Sequence, residues 1–219
     1  MILADALLFD MDGTLIDSGP VVEECWAAWA REYRIGADRL SGVLAHGVPA
    51  RQMIARLLPA DEVDAALARI EALEIERADG LEVLPGTREL LAVLPDDGWA
   101  VVTSCTRPLA EARLKAVGLD APVLVCADDV EHGKPDPAPY LLGARLVGVA
   151  PQRCAVFEDA PAGLAAGRAA GARTVAVATT AAAADLDADA VVADLSAVEV
   201  GPAPADGARF AVHASPTLR

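Results

Sequence analysis

Residues 6–14 of this 219-residue chain read Ala-Leu-Leu-Phe-Asp-Met-Asp-Gly-Thr, an apolar run that ends in two acids and a turn. The apolar run predicts a buried strand, and the glycine and threonine predict the turn that ends it. Side chains alternate between two faces along an extended chain, so we expect Asp10 and Asp12 to lie on the same face. Like charges this close require a shared cation, or one carboxyl group that keeps its proton.

Such a pair of acids can carry out phosphoryl chemistry. One carboxylate can attack phosphorus, while the other protonates the leaving oxygen and later activates water. A capped turn without chemistry is the simpler interpretation, because Asp, Gly and Thr are all common turn residues. The rest of the sequence must therefore decide between the two.

A second apolar run, residues 98–104, ends in the hydroxyl groups of Thr103 and Ser104. A hydroxyl and the backbone amides after it can hold a phosphate oxygen at the end of a parallel strand. The same residues also serve as caps for a following helix, and Thr106 and Pro108 predict a helix start here. Because the last residue of the strand is not fixed by sequence, both hydroxyls stay candidates, with Ser104 slightly favoured.

Two further strand ends carry charged groups. The apolar residues 123–126 lead into Gly-Lys-Pro-Asp-Pro at 133–137, where prolines restrict the loop that holds Lys134. A fixed ammonium group can neutralise a phosphate or relieve the repulsion between carboxylates. A fourth apolar run ends in Glu158 and Asp159. Carboxylate oxygens are ligands that Mg²⁺ prefers, although acids also favour the start of a helix.

Apolar runs at residues 174–177 and 190–192 predict a fifth and a sixth strand. We therefore predict an α/β fold with a Rossmann-like, doubly wound parallel sheet at its core. In such a sheet the carboxyl ends of the strands lie along one edge, where ligands bind. The first pair of acids, the hydroxyls, the lysine and the second pair of acids would meet at that edge.

Residues 17–84 follow a helical pattern, because their apolar side chains recur at intervals of three and four residues. This pattern predicts a small inserted helical domain between the two parts of the core domain, residues 1–16 and 85–200. Residues 201–219 are rich in proline, alanine and glycine, and we expect them to form a loosely ordered tail.

Taken together, the four motifs resemble those of the haloacid dehalogenase superfamily. The resemblance implies that Asp10 is the nucleophile, that Asp12 is the general acid and base, and that Lys134 stabilises the phosphate. It also implies a Mg²⁺ cofactor, bound by Asp10, Asp159 and the backbone carbonyl of Asp12. Glu158 would be the supporting acid.

The phosphate-binding segment and the insert resemble further parts of that superfamily. Thr103 or Ser104 would bind the phosphate together with the segment's next residue, Cys105, which stands where a glycine is common. The insert resembles the helical cap of one subclass, which closes over the site and reads the leaving group. The candidate substrate contacts in its loop are His46, Gly47 and Arg51. For His46 and Arg51, surface side chains at a helix start are the simpler explanation.

A closer resemblance, to the deoxyglucose-phosphate and glycerol-phosphate phosphatases, is carried by residues 99–107, 133–141 and 157–167. It implies a Mg²⁺-dependent phosphomonoester hydrolase for a small sugar or polyol phosphate, with an aspartyl-phosphate intermediate. The nearest alternative is a phosphohexomutase resembling β-phosphoglucomutase, which returns the phosphate to another hydroxyl. A dehalogenase is a weaker alternative, because the second acid and the magnesium-binding pair suit phosphoryl transfer better than displacement of a halogen from carbon. A phospho-accepting signalling domain leaves the helical insert unexplained.

Charge and composition restrict the partners. The formal net charge is −15, which argues against nucleic acid and anionic membrane surfaces, since both require basic patches. With no apolar stretch near about 20 residues and no basic N-terminal region, we expect neither a membrane span nor a signal peptide, and a cytoplasmic location. The expected partner is a small phosphorylated metabolite, and the expected assembly is a monomer or weak dimer. Four scattered cysteines without metal-ligand spacing predict reduced thiols.

Overall fold

The computed structural model describes residues 1–44, 49–204 and 207–215. The strands are β1 Ile2–Ala4, β2 Ala6–Phe9, β3 Ile16–Asp17, β4 Glu82–Val83, β5 Trp99–Val102, β6 Leu124–Val125, β7 Cys154–Glu158, β8 Arg173–Val177, β9 Ala190–Val192, β10 Val198–Pro202 and β11 Phe210–Ala214. The α-helices are α1 Gly19–Glu32, α2 Ala37–Ser41, α3 Ala50–Ala55, α4 Val63–Glu76, α5 Thr87–Ala92, α6 Arg107–Ala116, α7 Ala138–Leu146 and α8 Pro161–Ala169. Short 3₁₀ turns join several of these elements.

Six strands form one parallel sheet in the order β6-β5-β2-β7-β8-β9. The first strand of this sheet along the chain is β2, in the middle; β5 and β6 follow on one side, and β7, β8 and β9 then build the other side. The point beside β2 where the strand order reverses is where ligands bind in doubly wound sheets. The predicted α/β class and all six predicted strands are confirmed.

Side chains of the central strand enter two separate apolar clusters, as the pleat of a strand requires. Leu8 packs in a cluster with Tyr140 of α7 and Ala166 of α8. Leu7 and Phe9 face the other way, in a cluster with residues of α5 and α6. Because both faces are covered, every residue of β2 is buried, which explains why its sequence is a continuous apolar run.

The expectation of a loosely ordered tail after residue 200 is wrong for the part of it that the structure describes. β11 pairs antiparallel with both β1 and β10 in a three-stranded sheet, with Val212 opposite Ile2 and Val200. Phe210 and Val212 are buried in the main apolar cluster. The proline- and glycine-rich residues therefore include the connection of a hairpin, a role for which those residue types are equally common.

The helices between β3 and β4 form an apolar cluster of their own, in which α1 packs on α4. Trp29 of α1 is fully buried and donates a hydrogen bond from its indole nitrogen to the carbonyl of Ala66, 2.9 Å away. β3 and β4 pair antiparallel in a two-stranded sheet of their own, so the two ends of the insert lie side by side. The division into a core domain and a cap domain stays a prediction. Nowhere in the described residues is a helix both long and apolar enough to cross a membrane.

Candidate active site

Two acids lie side by side because their strands are neighbours in the parallel sheet. Phe9 at the end of β2 pairs with Phe157 of β7, and the next residue of each strand is an acid. The backbone amide of Asp10 donates to the carbonyl of Phe157 at 2.9 Å, which fixes the start of the loop. Asp10 and Glu158 therefore leave the sheet edge together, as the sequence predicts.

Three carboxylates form a cluster at this edge. Oxygen atoms of Asp10, Glu158 and Asp159 all lie within 4.8 Å of one another, and all three residues are buried. Three buried negative charges need compensation that water does not provide here. An all-oxygen donor set of this kind suits a hard divalent cation, so the cluster could hold a metal ion.

Lys134 supplies part of that compensation. Its ammonium group lies 2.5 Å from Asp10 Oδ1 and 2.6 Å from Glu158 Oε1, and it donates to the carbonyl of Val102 at 2.9 Å. Burial by itself lowers the pKa of Lys134, but the attraction of the two carboxylates outweighs it, and the pKa is raised above its ordinary value. The lysine therefore stays positively charged beside Asp10.

One lysine does not balance the cluster. Burial raises the pKa of Asp10 well above its ordinary value, and repulsion from Glu158 raises it further, against the attraction of Lys134. A cation bound among these carboxylates would reverse this effect and favour the ionised form of Asp10. A bound cation would therefore make Asp10 a better nucleophile.

The side chain of Asp12 takes another direction, towards α6. Its Oδ1 accepts a hydrogen bond from Arg113 Nη1, and its Oδ2 accepts one from the thiol of Cys105 at 3.1 Å. The Asp12 carboxylate does not belong to the three-carboxylate cluster. Asp10 thus lies in the three-carboxylate cluster and Asp12 is held outside it, so the two acids have different surroundings.

The glycine of the first motif allows the loop to approach the three-carboxylate cluster. Gly13 has a φ of 79°, in the left-handed region, and a Cβ atom there would overlap the carboxylate of Asp159. Thr180 donates a hydrogen bond to the same carboxylate. The turn after β2 is therefore built around Asp159, which follows a different strand.

The two candidate hydroxyls at the end of β5 differ in their surroundings. Thr103 is buried, and its hydroxyl accepts a hydrogen bond from the backbone amide of Cys105 at 3.1 Å. Ser104 is exposed to solvent. This contrast favours Ser104 as the hydroxyl that meets a ligand, with Thr103 as the residue that shapes the turn.

A sequence profile of the haloacid dehalogenase-like hydrolases matches residues 4–171. The chain belongs to this family. It is 46% identical to hexitol phosphatase A of Escherichia coli over 177 residues, which cover 78% of this chain and 81% of that protein. It is 34% identical to glycerol-1-phosphate phosphohydrolase 2 of Saccharomyces cerevisiae, over 80% of this chain and 75% of that protein. Both names describe hydrolases of phosphate esters.

Solved structures of haloacid dehalogenase-like proteins share the fold. A family IA, variant 3 hydrolase from Entamoeba histolytica superposes with a TM-score of 0.77 at 22% identity, covering 88% of this chain and 94% of that one. A protein described as a putative beta-phosphoglucomutase, from Thermotoga maritima, superposes with a TM-score of 0.67 at 29% identity, covering 86% and 94%. The fold is thus common to the hydrolase and to a neighbour with a mutase description.

Of the three predicted substrate contacts of this haloacid dehalogenase-like hydrolase, the structure describes only Arg51. His46 and Gly47 lie outside the described residues. Arg51 lies on α3 with 57% of its side chain exposed and forms an ion pair with Asp64 of α4 at 2.7 Å. Their role in substrate binding stays a prediction.

Several residues around the site were not predicted from the sequence. The hydroxyl of Tyr140 donates to Glu158 at 2.6 Å, and Thr180 contacts Asp159. Arg113 is buried and reaches Asp12. One signal was available for the arginine, because Arg113 stands four residues after Leu109 and four before Val117, on the apolar face of its helix. A charged residue on such a face requires a buried partner.

Proposed function

We propose that this haloacid dehalogenase-like hydrolase releases phosphate from a small sugar or polyol phosphate, with Mg²⁺ as cofactor and an aspartyl-phosphate intermediate. The observation that carries the proposal is the geometry around Asp10. Its buried carboxylate lies beside Lys134 at 2.5 Å and within a cluster of three acids. Asp12, two residues later, is held outside that cluster.

In the first step, an oxygen of Asp10 attacks phosphorus, and the bond from phosphorus to the leaving oxygen breaks. The electron pair of that bond stays with the leaving oxygen, which takes a proton from Asp12. In the second step, water attacks the phosphorus of the aspartyl-phosphate while Asp12 accepts a proton from the water. Inorganic phosphate leaves, and the Asp10 carboxylate is restored.

The residues proposed to hold Mg²⁺ are Asp10 and Asp159 with the backbone carbonyl of Asp12, and Glu158 supports them. The bound ion would neutralise charge on the phosphate and on the cluster. Lys134 adds a fixed positive charge, which stays in place because Asp10 and Glu158 both pair with it. Ser104 would donate to a phosphate oxygen from the end of β5.

The leaving group is proposed from the relatives and from charge. Their names, a hexitol phosphatase and a glycerol-1-phosphate phosphohydrolase, describe enzymes for small polyhydroxylated phosphates. A relative at 33% identity over 90% of both chains is named 2-deoxyglucose-6-phosphate phosphatase 1, from S. cerevisiae. The net charge of −15 favours a small metabolite over a nucleic acid.

A mutase is the second candidate, because a mutase-described neighbour shares the fold. A mutase would pass the phosphoryl group from Asp10 to another hydroxyl of the sugar and release an isomer. A phosphatase would pass it to water. Product analysis therefore separates the two functions.

The test is an assay of phosphate release with Mg²⁺ across hexitol, glycerol, hexose and nucleotide monophosphates, using the wild type and Asp10→Asn. We expect release from hexitol or other sugar and polyol phosphates, loss of release with EDTA, and no turnover by the variant. Asparagine is close in shape to the protonated aspartate that burial favours, so the variant should keep its fold, checked by circular dichroism. Isomer formation without phosphate release, or activity in Asp10→Asn, would contradict the proposal.

A further inference from the structure

An arginine connects the helical insert to the proposed general acid. Arg113 lies on α6, and only 5% of its side chain is exposed. One guanidinium nitrogen, Nη1, donates to Asp12 Oδ1 and lies 3.3 Å from the sulfur of Cys105. The other, Nη2, donates to Glu74 Oε2 at 2.8 Å. Glu74 belongs to α4, so one side chain joins the loop after β2 to the insert.

The geometry of this contact restricts the position of Asp12. A guanidinium group is planar and rigid, and its donors have fixed directions. Glu74 holds one end of the fork, so the other end presents Nη1 in a defined place and fixes the rotation of the Asp12 carboxylate. A single contact to Asp12 would leave the long arginine side chain with more freedom.

The same contact distinguishes the two oxygens of Asp12. Guanidinium nitrogens only donate hydrogen bonds, so an oxygen bonded to Arg113 cannot carry a proton towards it. The proton that Asp12 transfers therefore belongs on Oδ2, the oxygen beside Cys105. Arg113 thereby leaves Oδ2, which accepts from the weakly donating thiol of Cys105, as the oxygen available to carry the proton for the leaving group.

We infer that Arg113 is a positioning residue for the acid step and that Glu74 acts through it. The inference rests on the proposed phosphatase function. Its consequence depends on the leaving group. A sugar or polyol alkoxide is a strong base and must be protonated as its bond to phosphorus breaks, whereas p-nitrophenolate is a stable anion and leaves without that proton.

The experiment compares kcat/KM for two substrates, the best polyol phosphate of the wild type and p-nitrophenyl phosphate. This constant reports the steps up to departure of the leaving group, so it isolates the acid role of Asp12 from its later role as base. Arg113→Met should lose about 10- to 100-fold on the polyol phosphate and only a few-fold on p-nitrophenyl phosphate. Arg113→Lys should restore part of the loss.

Two further variants test whether Glu74 of the insert acts through Arg113. Glu74→Ala should show the same substrate-dependent loss, to a smaller extent. In the double variant Arg113→Met with Glu74→Ala, the ratio of the two kcat/KM values should equal that of Arg113→Met alone, because Glu74 acts through Arg113. Arg69→Met is the matched control, since Arg69 pairs with Glu32 inside the insert at 2.8 Å and should leave the ratio unchanged.

The outcomes separate this inference from the function on which it rests. If the wild type releases phosphate from neither substrate, the proposed function fails. If the wild type is active but Arg113→Met and Arg113→Lys lose activity equally on both substrates, Arg113 binds phosphate or only supports the fold, and the inference is wrong. If Arg113→Met does not fold, the Arg113→Lys and Glu74→Ala ratios decide the question in the same way.

Discussion

The carboxylate of Glu158 occupies a place with no spare volume. Its Oε1 accepts from the hydroxyl of Tyr140 at 2.6 Å and pairs with Lys134 at the same distance. On the remaining side lies Gly163 of α8, where a Cβ atom would overlap the carboxylate. A buried charge keeps its position only while such partners satisfy it. The absence of a side chain at Gly163 therefore helps to keep Glu158 in the three-carboxylate cluster.

Gly163→Ala should weaken metal activation, because the added methyl group pushes Glu158 away from the cluster. We expect the Mg²⁺ concentration for half-maximal activity to rise about 10-fold or more, as for other residues that support metal ligands. The matched control is Gly36→Ala, since nothing lies within 4 Å of a Cβ at that position. Equal Mg²⁺ dependence in Gly163→Ala and the control would contradict this account of the glycine.

The raised pKa of Glu74 leads us to expect that the stability of the protein depends on pH. Burial raises its pKa from 4.5 to about 7, with repulsion from Asp12 and Glu71 and against the attraction of Arg113. Between pH 4.5 and about 7, Glu74 keeps a proton in the folded protein that it has released in the unfolded chain. The stabilisation that this proton gives the folded protein is therefore lost as pH rises through about 7. From pH about 5.5 to 8, the wild type should lose about 2 kcal/mol relative to Glu74→Gln.

Urea unfolding of both proteins at the two pH values measures this difference. Glu76→Gln, an exposed change on the same helix, is the control, and it should alter the free energy of unfolding by less than about 0.5 kcal/mol at either pH. A constant difference between the wild type and Glu74→Gln across this range would show that Glu74 is not buried as described.

At the level of elements, β11 is the strand that the sequence composition failed to predict. Phe210 is buried against Gly98 and the main apolar cluster, so Phe210→Ala should lower the free energy of unfolding by about 3 kcal/mol. His213, exposed on the same strand, provides the control His213→Ala, with an expected change within about 0.5 kcal/mol. Denaturant unfolding of both variants is the measurement. If Phe210→Ala has a negligible effect on the free energy of unfolding, the original expectation of a loosely ordered tail would be correct.

The sequence predicted the elements whose signal is local. The strands of the parallel sheet are buried on both faces, so each reads as an apolar run that ends in polar residues, and the positions of Asp10, Lys134 and Asp159 followed from those ends. β1 and β11 escaped prediction because each is stabilised by pairing with a strand far away in the chain. The same holds for the contact between Arg113 and Glu74, which are 39 residues apart. Neither residue reveals its partner locally.

On the scale of the whole molecule, a strongly acidic protein is proposed to bind an anionic substrate. With 33 acidic and 18 basic side chains, long-range attraction of a phosphate is not available, and the favourable charge must be local. Lys134 and a bound cation would provide it at the sheet edge. The insert is tied to that edge through Arg113 and through a hydrogen bond from Thr106 to Glu71. Substrate binding and the position of the insert are therefore expected to depend on each other.

The central claim is that Asp10 accepts the phosphoryl group, and a trapping experiment tests it most directly. Asp12→Ala is mixed with Mg²⁺ and p-nitrophenyl phosphate, whose leaving group departs without an acid, and is then quenched in acid. Because the variant lacks the base that activates water, the intermediate should accumulate. Mass spectrometry should find one phosphoryl group on the peptide that contains Asp10, and none in the variant that also carries Asp10→Asn. Release of p-nitrophenolate with no phosphoryl group on Asp10 would contradict the claim.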